Sequence, residues 1–151
     1  MKQTPKEKKI QSLMEPGNLT LSGFLGTDDR HYHEIIQDDE NILEKLGHTP
    51  EEIAERMQKL MDLAGDVYEE PITVDGHYQI EIQLVRGRMI CPFAHPGAYR
   101  KGIIYLTNLK NNLSVKWTPL SVHFIQSHHF FEGEGSVFRL DPETLVKAIF
   151  E

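Results

Sequence analysis

The segment at residues 91–95, Cys-Pro-Phe-Ala-His, combines two side chains that can bind a metal ion. A cysteine thiolate and a histidine imidazole are ligands that zinc and related transition metals prefer. Cys91 is the single cysteine of the chain, so the usual structural zinc motif, which draws on a second cysteine, is missing. The sequence therefore predicts an unusual metal site or, alternatively, a buried unreactive thiol beside an ordinary loop histidine.

Two further residues could complete a metal site. His128 falls on the apolar side of a predicted helix, whereas His123 falls on its opposite side, which we expect to face outward. Asp39 occupies an apolar position in another predicted helix, where a buried carboxylate needs a partner. That partner is either a nearby backbone group or arginine, or a ligand. The candidate ligands for zinc or another transition metal are thus Cys91, His95, His128 and Asp39.

The same side chains would also permit thiol catalysis, with Cys91 as nucleophile, His128 as base and Asp39 as the group that orients the base. The sequence shows no cysteine at a helix start and no glycine pair that would form an oxyanion hole. Whether the protein is an enzyme therefore stays open.

A basic group flanks the cysteine segment and offers a second kind of site. A hairpin that carries several cations could attract a carboxylate or phosphate ligand. The alternative is a solvated strand edge whose charges discourage strand pairing. The residues of this group are Arg86, Arg88, Arg100 and Lys101.

Helices are predicted on both sides of a group of strands. The first helix covers residues 29–46 and ends at Gly47, and the second begins at Thr49-Pro50, so the two form an antiparallel hairpin. Thr118-Pro119 begins a helix over residues 118–132, and Asp141-Pro142 begins the last one.

Alternation of apolar and polar residues predicts four strands between these helices. The first strand begins at Tyr78, and Arg86-Gly87 is expected to turn it into a second strand over residues 89–93. The third and fourth cover residues 102–107 and 113–117. Short turns imply antiparallel neighbours, so the predicted class is α+β: a helical hairpin, a four-stranded mainly antiparallel sheet and two C-terminal helices.

The chain of 151 residues is long enough for one domain with a substantial core. We expect residues 1–22 to form a flexible N-terminal segment and residues 23–151 to form a single α+β domain. The net charge of −7 arises mainly from residues 27–70, which hold fourteen acidic and four basic side chains. A chain of this charge without a broad basic stripe is not expected to bind nucleic acid.

No apolar run is long enough to cross a bilayer, and the single cysteine suits a reducing compartment, so no membrane partner and a cytoplasmic location are expected. The sequence favours a small binding or interaction module without catalysis of its own. The alternatives are a transition-metal protein or metal-dependent enzyme at Cys91, and a binder of small anionic ligands at the basic hairpin. Partner and oligomeric state stay open.

Overall fold

The computed structural model describes residues 4–15, 23–65, 70–93 and 97–151. Helices precede and follow an antiparallel sheet, so the predicted α+β class is confirmed. In chain order the described elements are α1 (Pro5–Met14), α2 (Tyr32–Leu46), α3 (Pro50–Ala64), β1 (Ile72–Val74), β2 (Tyr78–Ile90), β3 (Ala98–Asn108), β4 (Leu113–Trp117), α4 (Pro119–His128) and α5 (Pro142–Phe150). Among these helices, none has the length and apolar character that crossing a membrane requires.

The four strands follow one another across the sheet in sequence order, each antiparallel to the next. The pairing of β1 covers residues 78–80 of β2, and the pairing of β4 covers residues 104–108 of β3. β2 and β3 continue together beyond both neighbours. Residues 83–90 and 98–103 therefore form a two-stranded extension, here called the β2–β3 ribbon.

The expected turn at Arg86-Gly87 is wrong, because β2 continues through it. Leu84 pairs with Gly102 and Arg88 pairs with Arg100, so residues 85–87 of β2 bulge opposite a single residue of β3. Gly87 has a φ of 111°, which permits the irregular backbone without a turn. The chain reverses after Ile90 instead, and β1, with three residues, is too short for its alternation to predict it.

Two clusters of buried side chains form the interior. The larger lies between one face of the sheet and helices α3, α4 and α5, and includes the fully buried Trp117 and Ile104. The smaller cluster collects side chains from α1, α2, α4 and the end of the β2–β3 ribbon. Phe124 lies at its centre, with the rings of Phe24, Phe93 and Phe130 edge-on to it at centroid distances of 5.2–6.0 Å.

The N-terminal segment that was expected to be flexible contains helix α1. Thr4 caps this helix, and the side chain of Glu7 completes a capping box, with Pro5 at the first helical position. Ile10 and Met14 are buried in the smaller cluster. The sequence did not indicate this helix, because two apolar residues in a lysine-rich stretch are too few to show a periodicity. The rest of the expected segment, residues 1–3 and 16–22, lies outside the described residues.

Helix α4 begins as predicted, with Thr118 accepting from the backbone N–H of Ser121. It ends earlier than predicted, because His129 adopts a left-handed conformation with φ 55° and reverses the chain. The His129 ring then joins Glu40 of α2 (Nδ1–Oε2, 3.0 Å) and Glu51 of α3 (Nε2–Oε1, 2.7 Å). His129 therefore links the end of α4 to helices α2 and α3.

The loop at residues 24–27 crosses the loop at residues 132–136, and their backbones are in direct contact. We call this contact the glycine crossing. The N–H of Gly133 donates to the carbonyl of Phe24 (2.8 Å), and the N–H of Thr27 donates to the carbonyl of Glu134 (2.9 Å). A Cβ on Gly133 would lie 2.4 Å from the carbonyl oxygen of Leu25, and one on Gly26 would lie 2.2 Å from a backbone nitrogen. This glycine crossing leaves no room for side chains and fixes the loop that follows α4.

Replacing Gly133 with alanine is expected to destabilise the protein by about 2–3 kcal/mol, because the new methyl group meets backbone that cannot move aside. Gly76→Ala is a matched control, since a Cβ there meets nothing within 4 Å and only the φ of 79° is strained. Its cost is about 1 kcal/mol. Urea unfolding of both variants measures the difference, and an equal effect would mean that the two loops do not touch.

Candidate metal centre

A cysteine and two histidines converge at the end of the β2–β3 ribbon. Cys91 follows β2 directly and is 2% exposed, while His123 and His128 lie on α4 and are half-buried. One ligand atom from each of the three residues lies within 4.8 Å of the other two. Cys91 Sγ and His128 Nε2 lie 3.6 Å apart. This is a compact set of one sulfur and two nitrogen ligands.

Aromatic side chains orient both imidazoles. The ring of Phe93 stacks on His128 with a centroid distance of 3.9 Å and an interplanar angle of 6°. The ring of Tyr99, from β3, stacks on His123 at 4.3 Å, and its hydroxyl forms a hydrogen bond with His123 Nδ1 at 2.9 Å. A hydrogen bond at one ring nitrogen normally fixes the tautomer and direction of a metal-binding histidine. Tyr99 occupies that position for His123.

The charge state of Cys91 bears on what the group can do. Burial raises the pKa of the Cys91 thiol to about 11, although a hydrogen bond from the backbone of Phe93 opposes the shift. Without an ion the thiol is therefore neutral near pH 7, which argues against a free thiolate nucleophile. A bound cation would displace the proton, since metal binding to a thiol releases one.

The structure brings together two of the four ligands that the sequence proposed, Cys91 and His128. His123, expected to face outward, joins them because the β2–β3 ribbon covers that side of α4. Periodicity within a helix could not reveal this, because it does not show which other element packs on the polar side. His95 lies outside the described residues.

Asp39 does not join this group, because a different residue holds its carboxylate. Arg139 donates from Nη1 to Oδ2 (2.5 Å) and from Nη2 to Oδ1 (2.9 Å) in a two-point ion pair. Asp39 is 1% exposed, and burial raises its pKa while the Arg139 guanidinium opposes the shift. The expected burial is observed, and the partner is an arginine, which was the structural alternative for this residue.

The four basic residues of the second predicted site are exposed on the β2–β3 ribbon, with Arg88 and Arg100 opposite each other in the strand register. In the described part of the chain, no carboxylate pairs with Arg86, Arg88, Arg100 or Lys101. They form a basic surface that no described acidic group neutralises.

Comparison of the chain with protein-family models, with curated proteins and with solved structures finds no match. The function has to be inferred from the residues themselves.

Proposed function

We propose that this protein binds a transition-metal ion, preferably zinc, through Cys91, His123 and His128. The observation that supports this is the convergence of three ligand atoms within 4.8 Å of one another. Zinc bonds of about 2.3 Å to sulfur and 2.0–2.1 Å to nitrogen place a sulfur and a nitrogen of one tetrahedral site about 3.6 Å apart. The distance between Cys91 Sγ and His128 Nε2, 3.6 Å, matches that separation.

The choice of zinc rests on the chemistry of the ligand set. A thiolate with two imidazoles suits zinc and other soft or borderline ions, whereas magnesium and calcium require oxygen ligands. Phe93 and Tyr99 hold the two imidazoles in place before any ion arrives, so little side-chain freedom is lost on binding.

The fourth ligand decides what the bound ion does. Four protein ligands would make a closed structural site, whereas three would leave a position for water or a small molecule, as in catalytic zinc sites. His95 stays a predicted ligand, and as the fourth it would make the protein a metal-binding protein without catalysis of its own. A water in that position would instead favour a metal-dependent enzyme. A cytoplasmic location and the absence of nucleic-acid binding stay predictions as well.

Metal analysis of the full-length protein, purified without a histidine tag, tests the proposal. We expect about one zinc ion per chain in the wild type and a large loss in Cys91→Ser and in His128→Gln, since each removes one of three ligands. His33→Gln is the matched control: this histidine is exposed at the start of α2 and pairs with Glu7. It should keep the ion.

Cobalt substitution separates specific binding from a defect in folding. A Co²⁺ ion bound to Cys91 should show an intense sulfur-to-cobalt charge-transfer absorption in the wild type, with weaker visible bands of a tetrahedral site. His33→Gln should give the same spectrum, and a Cys91→Ser protein with wild-type circular dichroism should lack the charge-transfer band. A wild-type protein that takes up cobalt without that band, or no metal at all, would refute the proposal.

A further inference from the structure

A cavity separate from the metal centre opens beside the β2–β3 ribbon. Its volume is about 500 Å³, within the range of small-molecule sites. The ribbon, the first residues of α4 and the loop after α4 enclose it, and neither Cys91 nor either of the two histidines lines it. The side chains that matter here are the apolar Val85, Met89, Leu120 and Phe138 and the polar Lys101 and Glu132.

Glu132 is a carboxylic acid placed at an apolar cavity. It is 4% exposed, and its carboxyl group accepts one hydrogen bond, from Ser136 Oγ at 2.6 Å. Within the described part of the chain, no second group bonds to that carboxyl. Burial raises its pKa to about 8, against smaller opposing effects of Ser136 and Arg139, so the group is mostly neutral at pH 7. A neutral acid in such a place can donate a hydrogen bond to a ligand.

The backbone of Glu132 is held in an unfavourable conformation. Its φ is 68°, in the left-handed region that residues with a side chain rarely adopt. Arg139 Nη1 donates to the carbonyl of Glu132 (2.8 Å) while the same guanidinium is bound by Asp39, and the next residue, Gly133, is locked in the glycine crossing. Backbone strain and a buried acid both oppose folding, and such features concentrate at binding and catalytic sites.

The lining of the cavity also contains a basic side chain that faces solvent. Lys101 lines the cavity and is exposed, whereas Glu132 is enclosed. Arg86, Arg88 and Arg100 lie on the same ribbon but outside the lining of the cavity. No described acid pairs with Lys101. A ligand that enters with its apolar part first therefore leaves its other end beside the Lys101 ammonium group. That end is favoured when it is an anion.

We propose that this cavity binds a small amphipathic organic anion. Its apolar body lies among Val85, Met89, Leu120 and Phe138, its carboxylate or phosphate group lies at Lys101, and Glu132 hydrogen-bonds to a polar atom inside the cavity. Lys101 then has a role that goes beyond discouraging strand pairing. The cavity shares no ligand residue with the metal centre. The proposal of an anion site can therefore be refuted without refuting the proposal of a metal site, and the reverse.

Displacement of a fluorescent apolar sulfonate, 1-anilinonaphthalene-8-sulfonate, from the full-length protein tests the proposal. We expect decanoate or decyl phosphate to displace the probe and decylamine, of equal chain length, to fail. The better of the two anions identifies the preferred head group. Lys101→Gln should weaken binding of that anion about tenfold, the effect of losing one favourable charged contact. Lys110→Gln, an exposed lysine in the turn between β3 and β4, should leave binding unchanged. Equal displacement by decylamine, or none by either anion, would overturn the proposal.

The pH dependence of affinity tests the role of Glu132. Glu132 and Lys101 are the charged groups in the lining, Arg139 bonds to the carbonyl of Glu132, and Asp39 and Glu134 pair with Arg139. As Glu132 ionises between pH 7 and pH 9, its new charge should repel the anion, so wild-type affinity should fall about tenfold. Glu132→Gln keeps a hydrogen-bonding group and should lose that pH dependence. Identical pH profiles in the two proteins would show that Glu132 does not contribute to binding.

Discussion

Asp39→Leu is expected to lower the free energy of unfolding by about 3–5 kcal/mol, the usual effect of removing one partner of a buried ion pair. The substitution leaves the Arg139 guanidinium, whose side chain is 10% exposed, without its carboxylate. Arg139 also donates to the carbonyl of Glu132, so a guanidinium that moves away to reach water would weaken the anchor of the loop after α4 as well. Urea unfolding followed by circular dichroism measures the change.

A neighbouring aspartate provides the control for this experiment. Asp38 precedes Asp39 in α2 and pairs with Arg30 at 2.7 Å, but its side chain is 55% exposed. Asp38→Leu should therefore change stability by no more than about 1 kcal/mol, as exposed ion pairs usually do. The double variant Asp39→Leu with Arg139→Met should recover much of the loss, because no unpaired charge remains. A double variant as unstable as Asp39→Leu would show that packing or the hydrogen bond from Arg139 to the Glu132 carbonyl, and not the unpaired cation, causes the loss.

The parts of the fold that the sequence predicted well are those that depend on nearby residues. Thr49, Thr118 and Asp141, each followed by proline, begin helices where expected, because capping involves residues within one turn. The alternation from Tyr78 likewise identified a strand with one buried face. Helix α1 is the counterexample, since the partners that bury Met14 are distant in sequence.

The parts that the sequence missed depend on how elements pack. Whether Arg86-Gly87 turns the chain or bulges within a strand is decided by the pairing with β3, which local residues do not reveal. His123 was assigned to the outside of its helix, yet Tyr99 of β3 covers it. Glu132 gave no signal, because a helix was expected to continue through it. A residue with a left-handed backbone and a buried acid is visible only in the structure.

Glu132→Gln is expected to stabilise the protein near neutral pH, with a gain that depends on pH. In the folded protein burial raises the pKa of Glu132 from 4.5 to about 8. Between these two pH values the unfolded chain has an ionised, hydrated carboxylate, whereas the folded protein keeps the neutral acid. Protons are thus bound more tightly by the folded state, and the stability of the wild type falls as pH rises from about 4.5 to 8. Glutamine does not titrate, so the variant lacks this decline.

The stability difference between Glu132→Gln and the wild type should widen by about 3–4 kcal/mol between pH 4.5 and pH 8, since each unit of pKa shift corresponds to about 1.4 kcal/mol. Any constant effect of burying the amide cancels when the two pH values are compared. Glu134→Gln is the matched control, because this neighbouring side chain is 65% exposed. Urea unfolding at several pH values gives the comparison. A constant difference across the range would mean that Glu132 is ionised in the folded protein. A difference that widens as expected would show that the fold tolerates a destabilising acid at the cavity, which is the physical reason to seek a ligand there.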